Sequence, residues 1–145
     1  MSALRFDLEA LRERLGEKRF LRAESYADRG MVRLLAIEDR RVSALVSGET
    51  GAVYRVELSE SGEGWCACPD FAETSACKHL GATALTASGI DPAAARRLNG
   101  RLARIREALA FEDTRALTEV IVRLAREVPG VLEALEPEPG AEGAG

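Results

Sequence analysis

The chain has 145 residues, a formal net charge of −4 and 46% hydrophobic content, which suits one folded domain with extensions and excludes a disordered or strongly basic polypeptide. Aromatics make up only 5%, so the core must be built mostly from Leu, Val, Ile and Ala, and no apolar run approaches the length of a membrane span. Four acids, Glu133, Glu136, Glu138 and Glu142, fall in the last thirteen residues with no base among them, leaving the remainder formally neutral, so any nucleic-acid argument must rest on local clustering.

Leu4, Leu8, Leu11 and Leu15 recur at helical spacing, with Gly16 as a stop, and predict an amphipathic helix. A second helix is predicted from Glu17 to Asp28, with Phe20, Ala23 and Ala27 on one side and Gly30 as the breaker. Met31 to Glu38 is rich in Val, Leu and Ile and reads as a strand, closed by a tight connection at Asp39-Arg40. Val42, Ala44 and Val46 alternate with polar neighbours, as do Tyr54, Val56 and Leu58 after the turn at Gly48–Gly51, and a further turn from Ser59 leads to Trp65. The expectation is an antiparallel meander with one face covered by helix. Trp65, one position before Cys66, belongs on the strand face opposite the cysteines, and the favoured reading is a core residue, with an exposed stacking platform as the alternative.

Every cysteine and the single histidine lie between positions 66 and 79. Cys66, Cys68, Cys77 and His79 form a complete tetrahedral ligand set for one Zn2+ ion. Residues two apart on an extended strand share a face, so Cys66 and Cys68 can lean onto one metal. Pro69 ends the strand and lets a loop return Cys77 and His79 to it. Phe71 in that loop either shields the sulfurs or projects toward a partner. Buried core cysteines and a disulfide are the bland competitors. Three cysteines cannot all pair, nothing resembling a signal peptide precedes them, and a reducing cytoplasmic setting suits metal-bound thiolates.

After the ligands, His79 to Ser88 reads as a helix of small residues ending at Gly89. Asp91-Pro92 is a strong helix start, followed by an apolar stripe at Leu98, Leu102, Ile105 and Leu109. Five arginines and no acid lie between Arg96 and Arg106, and Arg96, Arg97, Arg101 and Arg104, with Lys78, are the candidates for phosphate contact. The competing reading is a solvated face. A helix from Asp113 to Glu127 is predicted to turn Leu117, Val120, Ile121, Leu124 and Val128 inward, with Pro129-Gly130 breaking it, a short turn at Val131 to Leu135, and a compositionally disordered tail.

The pattern Cys-x-Cys, a short loop, then Cys-x-His, with Pro69 after the second cysteine and Lys78-His79-Leu80 running into a small-residue helix, resembles the SWIM-type zinc finger family. The likeness extends upstream through Phe20 to Val32 and the strands at Tyr54 and Val56. The resemblance implies a β-β-α zinc fold that binds DNA or protein, as in helicase-like remodelling ATPases, Mutator-type transposases and recombination accessory factors.

The expected fold is α+β: a small antiparallel meander with a β-β-α zinc finger, flanked by N- and C-terminal helices. The expected organisation is a helical segment at 1–30, the meander and finger at 31–90, a helical segment at 91–136 and a tail at 137–145. Four protein ligands leave no open coordination position, so the zinc is expected to be structural and the chain non-enzymatic. Two functions follow: binding of DNA or another nucleic acid, and docking as a protein adaptor on a helicase, recombinase or nuclease. Neither membrane nor small-molecule substrate is expected. Thiol redox chemistry at Cys66 and Cys68 stands behind both.

Overall fold

The computed structural model describes residues 4–128 and 130–136; the expected tail at 137–145 and the breaker Pro129 lie outside them. The chain divides into two compact units, Met1–Ala103 and Arg104–Gly145. The first contains α1 (Leu8–Leu15), α2 (Glu17–Asp28), β1 (Val32–Glu38), β2 (Arg41–Ser47), β3 (Val53–Ser59), β4 (Gly64–Cys66), α3 (Pro69–Thr74), α4 (Lys78–Ser88) and the first part of α5 (Pro92–Ala110). The strands form an antiparallel sheet in the order β1-β2-β3-β4, the expected meander in an α+β fold.

Local chemistry sets the element boundaries. α1 begins at Leu8 rather than Leu4 because Asp7 caps it, its carboxylate accepting the Ala10 N–H at 3.0 Å. Leu4, in the segment before the cap, is nevertheless buried in the same core. Gly16 takes φ +80 and ψ 155, a conformation that glycine alone adopts at little cost, and this lets α2 fold back directly from α1. Asp39 and Arg40 both have positive φ, 52 and 59, the pairing required for a two-residue hairpin between β1 and β2.

The sheet is covered on one side. Val42, Ala44 and Val46 of β2 lie opposite Leu58, Val56 and Tyr54 of β3, and Val56 lies opposite Cys66 of β4. This face packs with Leu80, Ala84 and Ala87 of α4 and with Leu15, Phe20, Ala23 and Tyr26 of the first two helices. Two glycines allow the close approaches. A Cβ at Gly64 would sit 2.7 Å from the Glu57 carbonyl oxygen across the β3–β4 pair, and one at Gly81 would sit 2.8 Å from both Ala23 Cβ and Leu15 Cδ1.

The other sheet face is open at β3 and β4. Trp65 stands there, paired with Glu57 across the strands and 49% exposed, with the Arg55 guanidinium 5.9 Å from its ring centroid. The expectation of a core tryptophan is corrected: the inner face is taken by Cys66, and strand alternation sends Trp65 to the uncovered side. The edge strand β1 carries an irregularity between Leu34 and Ala36. Beyond it, the Ile37 N–H donates to Asn99 Oδ1 at 3.0 Å, and Asn99 Nδ2–H donates to the Ile37 carbonyl, joining α5 to the sheet edge.

The second unit holds the rest of α5, α6 (Thr114–Glu127) and α7 (Val131–Leu135). Asp113 caps α6 by accepting the Ala116 N–H at 2.8 Å. The expected inward stripe on α6 is not buried: Ile121, Leu124 and Val128 remain more than two-fifths exposed, Leu117 and Val120 are only partly covered, and α6 buries no residue. Helical periodicity marks a face that favours cover, but it does not supply the cover.

Candidate metal centre

β4, α3 and α4 each deliver ligand-type side chains to one buried point. Cys66, the last residue of β4, faces inward beside Val56. The chain stays extended past it, the Ala67 N–H donating to the Arg55 carbonyl at 3.1 Å, so Cys68 returns to the same face. The segment expected to be a loop then contains α3, with Cys68 as its cap accepting the Phe71 N–H at 3.4 Å and Pro69 in the first turn, where a missing N–H is harmless. Ser75, in the left-handed region with φ 56 and ψ 20, ends α3 and turns the chain back. Cys77 caps α4, and His79 sits in its first turn. Phe71 is partly buried against the core cluster rather than projecting.

The four side chains are all buried, and their ligand atoms lie within 4.8 Å of one another. His79 Nδ1 is 3.7 Å from Cys66 Sγ. Ligands sharing a tetrahedral ion through bonds of about 2.3 Å to sulfur and about 2.0 Å to nitrogen stand roughly 3.6 Å apart for a sulfur–nitrogen pair, so the observed separation fits joint coordination. The cysteines are free of disulfides. The donor chemistry and the spacing both fit one metal ion held by Cys66, Cys68, Cys77 and His79.

The thiols are not equivalent. Cys77 is lowered to about 4, chiefly because the Cys66 thiol donates to its sulfur, with His79 and the Leu80 N–H at the start of α4 adding to the effect. Cys66, as that donor and as a buried group, is pushed up, and burial raises Cys68. Metal binding therefore has to displace the protons that burial favours on Cys66 and Cys68. Affinity is expected to rise with pH and to fall by at least about 100-fold per pH unit on acidification below the thiol range, since at least two protons leave per ion bound. Chelator competition at several pH values measures that slope, and a pH-independent affinity would contradict it.

Side chains around the cluster fix the elements that carry it. Arg19 of α2 grips Asp70 of α3 through two hydrogen bonds of 3.0 Å each, and the Arg19 guanidinium holds the Asp70 carboxyl below its ordinary value. The rings of Tyr54 and Tyr26 flank His79 at centroid distances of 5.0 and 5.6 Å. Lys78 Nζ lies 5.2 Å from the Tyr26 ring centroid. Alternation with Val56 and Leu58 assigns Tyr54 to the face that bears Cys66, whereas nothing in the local sequence marks Tyr26 as a neighbour of the cluster.

The other expected site residues are distributed differently. Lys78 is half-buried over Tyr26 beside the cluster, while Arg96, Arg97 and Arg101 are exposed on the part of α5 in the first unit and Arg104 is exposed in the second. Among the described residues no helix is long and apolar enough to cross a membrane. No family model, curated protein or solved structure matches the chain.

Proposed function

We propose that Cys66, Cys68, Cys77 and His79 hold one structural zinc ion in a SWIM-type finger, and that the chain is a non-enzymatic binding module for nucleic acid, accessory to a DNA-processing machine such as a helicase-like ATPase. The observation that carries the metal reading is the buried Cys3His group itself. Thiolate and imidazole donors in a tetrahedral set suit zinc, and four protein donors leave no position for a reactive water. A thiol-redox role for Cys66 and Cys68 ranks lower because all three cysteines are buried. Reduced thiols of this kind fit the cytoplasm.

Two exposed features support nucleic acid as the target: Arg96, Arg97 and Arg101 on α5, and Trp65 with Arg55 on the open sheet face. Protein purified without added metal is expected to contain one zinc per chain by elemental analysis. Binding to an oligonucleotide is expected to weaken with salt, each phosphate contact contributing about −0.9 to the log-log slope on duplex. Stacking on Trp65 would quench the fluorescence of this single tryptophan. A slope near zero together with unquenched emission removes the nucleic-acid reading while leaving the metal reading intact.

A second reading, a protein adaptor, is favoured by the bare apolar side chains of α6 and α7, where Ile121, Leu124, Leu132 and Leu135 are 43%, 42%, 52% and 51% exposed. Glutamine at Leu124 and Leu132 is expected to abolish capture of such a partner and leave oligonucleotide binding unchanged.

A further inference from the structure

Cross-strand pairing fixes which side chains stand on the outer face of the sheet. Val42, Ala44 and Val46 of β2 are buried inward, so Arg41, Ser43 and Leu45 alternate to the other side. Leu45 is paired with Arg33 of β1 on one flank and with Arg55 of β3 on the other, and the next row runs from Ser43 through Glu57 to Trp65 of β4. Arg33, Arg41, Arg55 and Trp65 are all exposed. With neighbouring strands about 4.8 Å apart, the backbones of β1 and β3 carry Arg33 and Arg55 on the order of 10 Å from each other.

The charge on this face is unevenly used. Two acids share it, Glu38 opposite Arg41 and Glu57 opposite Trp65. The Glu57 carboxylate is engaged within the sheet, accepting from the Ser43 hydroxyl at 2.7 Å and from the Arg55 guanidinium at 3.3 Å. Arg33 and Arg41 hold no ion pair among the described residues. The face thus offers cationic side chains around one large aromatic ring, with the Arg55 guanidinium 5.9 Å from its centroid.

Shape selects among nucleic acids. The grooves of a duplex admit a helix or a two-stranded ribbon, not the breadth of a four-stranded sheet. Paired bases also stack on one another and present only their edges, so a ring standing on the sheet meets none of their faces. An unpaired strand presents base faces and a pliant backbone, and its bases stack on aromatic rings and arginine planes while its phosphates meet basic side chains.

We infer that the open sheet face binds single-stranded nucleic acid, one base stacking on Trp65 and the flanking phosphates meeting Arg55, Arg33 and Arg41. The inference rests on the nucleic-acid reading and narrows it, placing the strand on the sheet rather than on the arginines of α5.

The test uses the full chain with oligodeoxythymidylate and oligouridylate as single strands and a blunt mixed-sequence duplex as comparator. Trp65 is the only tryptophan, so quenching of its emission reports stacking at that ring. At least one of the single strands is expected to quench the emission and to bind at least about 5-fold tighter than the duplex. Trp65→Ala is expected to weaken single-strand binding about 5- to 150-fold, the effect of losing one stacked base, whereas Trp65→Phe keeps a ring and stays nearer wild type. Arg33→Gln and Arg41→Gln are each expected to shrink the log-log salt slope by about 0.7, the share of one phosphate contact on a single strand. All four substitutions fall at exposed positions, and circular dichroism melts matching wild type separate lost binding from lost fold. Should Trp65→Ala fail to fold, wild-type quenching and Arg33→Gln decide the matter. Unquenched single-strand binding that Trp65→Ala leaves unchanged overturns the placement, as does a duplex preferred over both strands. In either case a loss confined to Arg96→Gln and Arg101→Gln keeps the nucleic-acid reading on α5. Binding to none of the three probes removes that reading, and this proposal with it.

Discussion

Removing the metal, or replacing Cys77 with serine, is expected to lower the melting temperature by about 20 °C or more. Structural zinc contributes apparent folding energies of about 10–16 kcal/mol in small modules that depend on it. The cysteines share one core cluster with Leu15, Phe20, Val42, Val46 and Leu58, so apolar burial gives the first unit other support. The span from Cys66 to His79 has little: α3 buries none of its residues, and the ligands tie β4, α3 and α4 together. Loss of about 4 kcal/mol would suffice for the stated shift, at about 4–8 °C per kcal/mol for a domain of this size. Circular dichroism melts before and after chelation measure it, with His79→Ala expected to behave like Cys77→Ser. Identical melts with and without metal would make the cysteines ordinary core residues and sink the reading.

Gly81→Ala is expected to destabilise the first unit by about 1–3 kcal/mol, the usual cost of overfilling a packed core. The sign is not obvious, because alanine is better than glycine in a helix by about 1 kcal/mol. Geometry decides against it. The new Cβ would stand 2.8 Å from Ala23 Cβ, which is fixed to the backbone of α2, and 2.8 Å from Leu15 Cδ1, whose side chain is almost fully buried and has nowhere to go. α4 would have to retreat from α1 and α2, taking Cys77 and His79 with it, so metal affinity is expected to fall as well. Gly89→Ala is the control: its Cβ would meet only ordinary contacts at 3.7 Å, and its φ of −90 suits any residue. Urea unfolding of the two variants should separate them clearly. Equal stabilities would show that the crossing of α2 and α4 has slack that the structure does not display.

The clustering of Cys66, Cys68, Cys77 and His79 and the meander were legible because both are written in short-range code. Spacing of two on a strand placed Cys66 and Cys68 on one face, and alternation from Val42 to Leu58 marked the inward face on which Val56 meets Cys66. α3 escapes the sequence reading because Pro69 reads as a strand breaker, although the same proline preceded by an extended residue is equally a helix start. The exposure of Trp65 was misjudged for a different reason. Its face was correctly assigned, but whether that face is covered depends on where helices far along the chain dock, which no local pattern records. The stripe on α6 failed in the same way, and the Asn99–Ile37 hydrogen bonds, sixty-two positions apart, left no local signal at all.

That asparagine also bears on solubility. An edge strand with unpaired peptide groups is a template on which another chain can lay down a further strand and begin a fibril. By engaging both the N–H and the C=O of Ile37, Asn99 occupies the peptide groups of one residue of β1, just past its irregularity. At the opposite border β4 is only three residues long. Both margins thus carry a hindrance to self-templated growth, one a side-chain amide that imitates a peptide at Ile37 and the other brevity.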